Sequence, residues 1–129
     1  MNLKELSGTF SILKLKPDEA IPAWATQGPF FSVGRTSEEL SIVCETAFIP
    51  ESVEWKSDQW KCLRVEGLLD FGQTGILSSI AGPLARAKIS IFAISTYNTD
   101  YILVKADTLE RAKHALKQSG VNCAPDITA

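Results

Sequence analysis

The sequence predicts an α+β fold built from two tandem copies of one strand–helix–strand–strand–helix pattern. Three observations carry that prediction. Short β-prone runs alternate with stretches of helical period along the 129 residues. Residues 30–44 align without gaps on 91–105, 61 positions on, matching Phe31 with Phe92, Val33 with Ile94, Glu39 with Asp100 and Val43 with Val104. The length suits one compact domain or two small modules sharing a core. A composition of 45% apolar and 22% charged residues reads as globular rather than disordered.

The elements follow in order. Residues 9–15 (TFSILKL) alternate and read as a strand. Pro17, Asp18 and Glu19 suit the first turn of a short helix, which Gln27-Gly28-Pro29 breaks. Residues 30–34 and 40–44 (LSIVC) read as strands around a polar turn at 35–39. Residues 49–59, with Pro50 and mixed charge, form a short helix or a loop between modules. The second copy opens with a strand at 60–67 and a loop at 68–73. Residues 74–87 are helical, with Ile76, Leu77, Ile80, Leu84 and Ala87 on one face, Thr74 as N-cap and a kink from Pro83. Strands at 90–96 (SIFAIST) and 101–105 (YILVK) flank a turn at 97–100. Residues 107–119 form the last helix, with Asp107 and Glu110 as a capping pair, a stripe of Leu109, Ala112 and Leu116, and Gly120 as the stop. Residues 121–123 can add a final short strand.

This order is the β-α-β-β-α-β plan of the ferredoxin-like fold, with antiparallel sheets. The expected modules are 1–59, shortened in its helix region, and 60–129.

Several function classes fall away. A net charge of −2 gives no reason to expect nucleic acid or an anionic membrane surface. The basic, aromatic signature of an RNA-binding sheet is missing from both central strands. No apolar run reaches the roughly 18 residues that span a bilayer. The first residues, MNLKEL, lack the apolar core of a secretion signal, which points to the cytoplasm. Cys44, Cys62 and Cys123 are widely spaced and form no C-x-x-C pair, so they read as reduced, packed thiols. The lone histidine, His114, lies off its helix stripe and reads as exposed. Neither a metal site nor a nucleophile–base pair is expected, and no phosphate loop is present. Trp24, Trp55 and Trp60 read as core or interface anchors.

The run Asp70-Phe71-Gly72-Gln73-Thr74-Gly75-Ile76-Leu77, then Ile80, Pro83-Leu84-Ala85 and Ile89-Ser90-Ile91, resembles the ACT domain family. In that family an Asp and a Gly stand in the loop between first strand and first helix, as Asp70 and Gly75 stand here. The run from Ile94 through Val104 is similar to the tandem-ACT subgroup. That subgroup includes small bacterial proteins and, more distantly, cytosolic arginine sensors and aspartate kinase regulatory parts. The resemblance covers nearly the whole chain and is specific over 60–116. Thr74 stands where the family often has Pro, and Lys88 where it often has Gly; a left-handed turn at Lys88 would cost about 1 kcal/mol.

The resemblance implies a regulatory, allosteric protein that binds a small molecule, an amino acid first of all, without catalysing a reaction, and that forms a homodimer. No cofactor is implied. The chemistry suits the ligand. A glycine loop entering a helix offers bare amides and about half a positive charge, a natural carboxylate receptor. Gly72 and Gly75 let a ligand approach the main chain. Gln73, Thr74, Gly75, Ile76 and Leu77 form the carboxylate side of the expected site. Ile94, Ser95 and Thr96, at a strand end, face the ammonium. Asp100, in the turn beyond, pairs with a cationic side chain, and Asp70 can serve either role. The alternative is a ligand-free oligomerisation or protein-interaction module of the same fold.

Overall fold

A computed structural model describes residues 1–54, 56–67 and 75–126. The chain divides into two compact units, Met1–Ser7 with Lys61–Ala129 (unit 1) and Gly8–Trp60 (unit 2). The first seven residues therefore group with the second half of the chain.

Unit 1 holds strands β1 (Asn2–Glu5), the 61–65 part of β5 (Lys56–Val65), β6 (Ile91–Ser95), β7 (Asp100–Lys105) and β8 (Asn122–Pro125), with helices α1 (Ile76–Arg86) and α2 (Leu109–Gln118). β7 lies between β6 and β5, and β1 lies between β5 and β8. β1 runs antiparallel to β5 (Leu3 opposite Val65) and parallel to β8 (Leu3 opposite Cys123). The expected antiparallel sheet is thus mixed. The N-terminal strand inserts where the closing strand of the ferredoxin plan would otherwise pair with the first, and the closing strand becomes parallel to it. The α+β class stands.

The helix faces follow the apolar period. Ile80 and Leu84 of α1 and Ala112 and Leu116 of α2 are fully buried against Leu3, Leu63, Ile102 and Val104, and Ile76, Ala87 and Leu109 pack at the edge of this core. Leu77 does not join the stripe and is 37% exposed. α1 starts at Ile76, two residues later than expected, and runs through Pro83 as one helix. Lys88 closes it in the left-handed region (φ 59°), with the Ile89 N–H donating to the Leu84 carbonyl at 2.9 Å. α2 is entered through a 3-10 turn, Ala106–Thr108, with Thr108 at the cap position and no side-chain cap bond, so Asp107 and Glu110 make no capping pair. Glu5 accepts from Lys113 of α2 at 2.7 Å and pairs with Lys61 of β5 at 3.7 Å. The hydrogen bond from Glu5 is the main reason the Lys113 ammonium titrates above its ordinary range.

Unit 2 holds β2 (Phe10–Leu15), β3 (Ser32–Arg35), β4 (Leu40–Glu45) and the 56–60 part of β5 in the order β3-β4-β2-β5, all antiparallel. Leu13, Ala25, Leu40, Ile42, Cys44 and Ile49 form its core, and Phe10 meets Phe30 edge to face at 5.9 Å. The short helix expected after Pro17 is absent. A turn at 16–19 and a 3-10 turn, Ala23–Thr26, stand in its place. Pro22 supplies no N–H and biases the residue before it away from helix, and Pro29 ends the segment. After β4 comes another 3-10 turn, Thr46–Phe48, so both described α-helices belong to unit 1. Gly28 takes φ 82°, where an L side chain is strained, and the Glu45 carboxylate lies close to where a Cβ would stand.

The internal repeat is real, but its register is 60 residues, not 61. Thr36 and Thr96 close the same turn: each N–H donates 2.9 Å to a carbonyl three residues on, at Glu39 and Thr99. Arg35 faces Leu40 across β3–β4, as Ser95 faces Asp100 across β6–β7. A one-residue slip exchanges the two faces of a strand.

Candidate functional site

The candidate residues gather at two places in unit 1. Asp70, Gly72, Gln73 and Thr74 lie outside the described residues, as does Trp55. The first place is the entry to α1. Gly75 takes φ 80° and ψ 0°, the left-handed region in which an L side chain is strained, and serves as the N-cap where Thr74 was expected. Its carbonyl accepts both the Ser79 N–H (2.9 Å) and the Ser79 hydroxyl (2.7 Å). The first-turn amides from Ile76 onward have no intrahelical partner. Among the described residues no side-chain cap bond and no acidic residue occupy that turn. A helix start carries partial positive charge and suits an anion. Gly75 is exposed, while Ile76 is half-buried in the core.

The second place is the β6–β7 hairpin. Asp100 is not a turn residue: it is the first residue of β7, directly opposite Ser95, the last residue of β6. The Ser95 hydroxyl donates to Asp100 Oδ1 at 2.6 Å. The carboxylate keeps further lone pairs for a cation. The Thr96 hydroxyl donates to the Thr99 carbonyl at 3.0 Å, which tightens the turn. Ile94 is half-buried and Thr96 exposed, and Tyr97 at the tip is 79% exposed.

Sequence reasoning missed Thr99. It is 5% exposed, and its hydroxyl donates to the Val65 carbonyl at 2.8 Å. That bond ties the hairpin to the end of β5, from which the glycine loop departs. Thr99 reads in sequence as one more turn former beside Asn98; the sign that could have found it was the Thr36/Thr96 match, which sets the hairpin register.

Among the described residues, two surface hollows of about 430 and 260 Å³ lie along α2 and the C-terminal end of α1. The first is lined by Ala87, Glu110, Arg111, His114, Ala115 and Gln118. None of the candidate ligand residues lines either hollow. His114 is exposed there. Cys44 and Cys62 are buried, and burial pushes their thiols up to about 11 and about 12, far from a thiolate nucleophile at neutral pH. Burial likewise raises Cys123. Among the described residues no three His, Cys, Asp or Glu side chains gather as metal ligands do. No described helix is long and apolar enough to cross a membrane.

A two-helix α+β unit whose first helix is entered through a glycine turn fits an ACT-type domain. Residues 56–118 match the ACT domain family, and this part of the chain belongs to it. A second family pattern, described as an N-terminal domain, matches residues 8–52. The crystal structure of protein Atu0741 from Agobacterium tumefaciens is similar across nearly the whole chain: 39% identity, TM-score 0.90, 97% of this chain and 92% of that one. The mouse cytosolic arginine sensor for mTORC1 subunit 1 is 35% identical over 92 residues, 66% of this chain. The chain spans only 28% of that sensor's length. The regulatory subunit of aspartate kinase from Thermus flavus shares the fold at 10% identity, with a TM-score of 0.62 over 93% of this chain and 97% of that one.

Proposed function

We propose that the chain is a cytoplasmic regulatory protein that binds an amino acid in unit 1, acts as a homodimer and catalyses nothing itself. The single observation behind this reading is the start of α1 at the left-handed Gly75, with no acid in its first turn. The ligand carboxylate docks on the amides of Ile76 and Leu77, with Gly72, Gln73 and Thr74 completing the loop. Its positive groups meet the strand end at Ile94, Ser95 and Thr96, and Asp100 and Asp70 take a cationic side chain. The arginine sensor and the aspartate kinase regulatory subunit support an amino acid as the ligand class. Binding shifts a conformational or oligomeric equilibrium only by the difference in affinity between the two states.

One observation favours a second reading. The Asp100 carboxylate already has a partner in Ser95. A ligand-free interaction module of this fold fits that arrangement.

Thermal denaturation against each common amino acid, with the wild type and Asp100→Ala, separates the two. A ligand at 100 times its dissociation constant stabilises by about 2.7 kcal/mol. One amino acid raises the Tm of the wild type, and Asp100→Ala loses that response while keeping its oligomeric state. No shift with any amino acid at millimolar levels removes the first reading.

A further inference from the structure

We infer that unit 2 holds a closed counterpart of the unit 1 site, filled by the chain's own Arg35, so that each chain offers one ligand position and not two. The inference rests on the reading of unit 1 given above. It starts from the shared turn. With Thr36 and Thr96 equivalent, Arg35 stands at the place of Ser95 and Leu40 at the place of Asp100. Both changes act against a ligand. Leu40 is fully buried in the unit 2 core and offers nothing to a cation. Arg35 sends its guanidinium to the segment that follows β2, where Nη1 donates to the Pro17 carbonyl and Nη2 to the Glu19 carbonyl at 2.8 Å. That segment leaves β2 as the glycine loop leaves β5. No α-helix follows it among the described residues of unit 2, so no helix start is there to receive a carboxylate.

The two carbonyls form a receptor shaped for a guanidinium. Its planar fork presents two donors at once, whereas an ammonium is a point charge with no preferred plane. Arg35 thus acts within unit 2 as a tethered surrogate for a guanidinium-bearing guest. In unit 1 the short Ser95 side chain turns to Asp100 instead.

The test uses the full chain carrying Arg35→Ala, thermal unfolding as the readout, and millimolar methylguanidinium chloride as the probe, with methylammonium chloride as control. Arg35→Ala lowers the Tm by about 3–6 °C, the shift expected of a lost pair of loop bonds in a domain of this size. Methylguanidinium recovers at least half of that loss, methylammonium does not, and neither moves the wild type. A variant as stable as the wild type, or equal response to the two salts, overturns the inference. If Arg35→Ala does not fold, Arg35→Lys keeps the stem and the charge without the fork. Its Tm then falls below that of the wild type, and an unchanged Tm overturns the inference. The assay contains no amino acid, so its failure leaves the unit 1 reading standing, and a failed amino-acid screen leaves the rescue intact. Where the screen yields a ligand, one molecule binds per chain, and two per chain contradicts the inference.

Discussion

The hairpins β3–β4 and β6–β7 have the same strand register and the same backbone hydrogen bond closing the turn, yet they put different chemistry at their open ends. In unit 2 the strand-end pair is Arg35 and Leu40, one spent on backbone carbonyls and the other sunk in the core. In unit 1 it is Ser95 and Asp100, bonded to each other and half in solvent. The elements around them differ in step: unit 1 carries both described α-helices, and unit 2 crosses with 3-10 turns. A repeated backbone therefore does not imply a repeated site. Side chains at two positions and the presence of a helix start separate the proposed binding end from its counterpart in unit 2.

Exchanging those residues breaks the comparison most forcefully. Leu40→Asp places an unpaired charge in a fully buried position and costs more than about 3 kcal/mol in urea denaturation. The reverse change, Asp100→Leu, removes an exposed hydrogen bond and costs about 1 kcal/mol or less. Similar losses for both would show that the two positions are not as different as described.

The buried thiols give a second contrast, in pH. Cys44 of unit 2 and Cys62 of unit 1 are held at about 11 and about 12, above the ordinary 9.0, by burial. Their contribution to stability is complete below pH 9.0 and is lost as pH rises towards those values. Each thiol adds a slope of at most about 1.4 kcal/mol per pH unit on that alkaline limb. Cys62→Ala flattens the limb for unit 1 and Cys44→Ala that for unit 2, each followed by urea midpoints at pH 8 to 11. An unchanged limb in both variants would refute the assignment.

The smallest effect concerns the pin that unit 1 adds. Thr99→Val leaves the Val65 carbonyl without its buried donor and costs about 1–2 kcal/mol. Glu39→Gln, at the equivalent position of unit 2, stays within about 0.5 kcal/mol. Both are read from urea midpoints. A Thr99→Val variant as stable as the wild type would mean that the pin contributes nothing.

Much of this was legible in the sequence. The strands of both hairpins, the buried stripes of α1 and α2, and the left-handed Lys88 follow from periodicity and from the need to end a helix. The register error has a definite cause. The match of Phe31 with Phe92 and of Glu39 with Asp100 rewards similar side chains, whereas the fold aligns the threonines that close the turns. The same slip equated Asp100 with a surface acid, when its true counterpart is the buried Leu40. The helix expected after Pro17 fails because a run of acids near a proline marks a helix start only if the following residues can continue, and Pro22 prevents that. Among the candidate residues, Ser95 and Asp100 were named separately and not as a bonded pair. Their pairing depends on a register that only the turn geometry fixes.

The amide spectrum of ¹⁵N-labelled protein, recorded while the amino acid selected by thermal shift is titrated in, tests the central claim most directly. The account predicts that the amides of Gly75, Ile76 and Leu77 move together with those of Ser95 and Asp100, while the β3–β4 hairpin stays silent. Saturable shifts confined to β3–β4, or to the α2 face around His114, would contradict it.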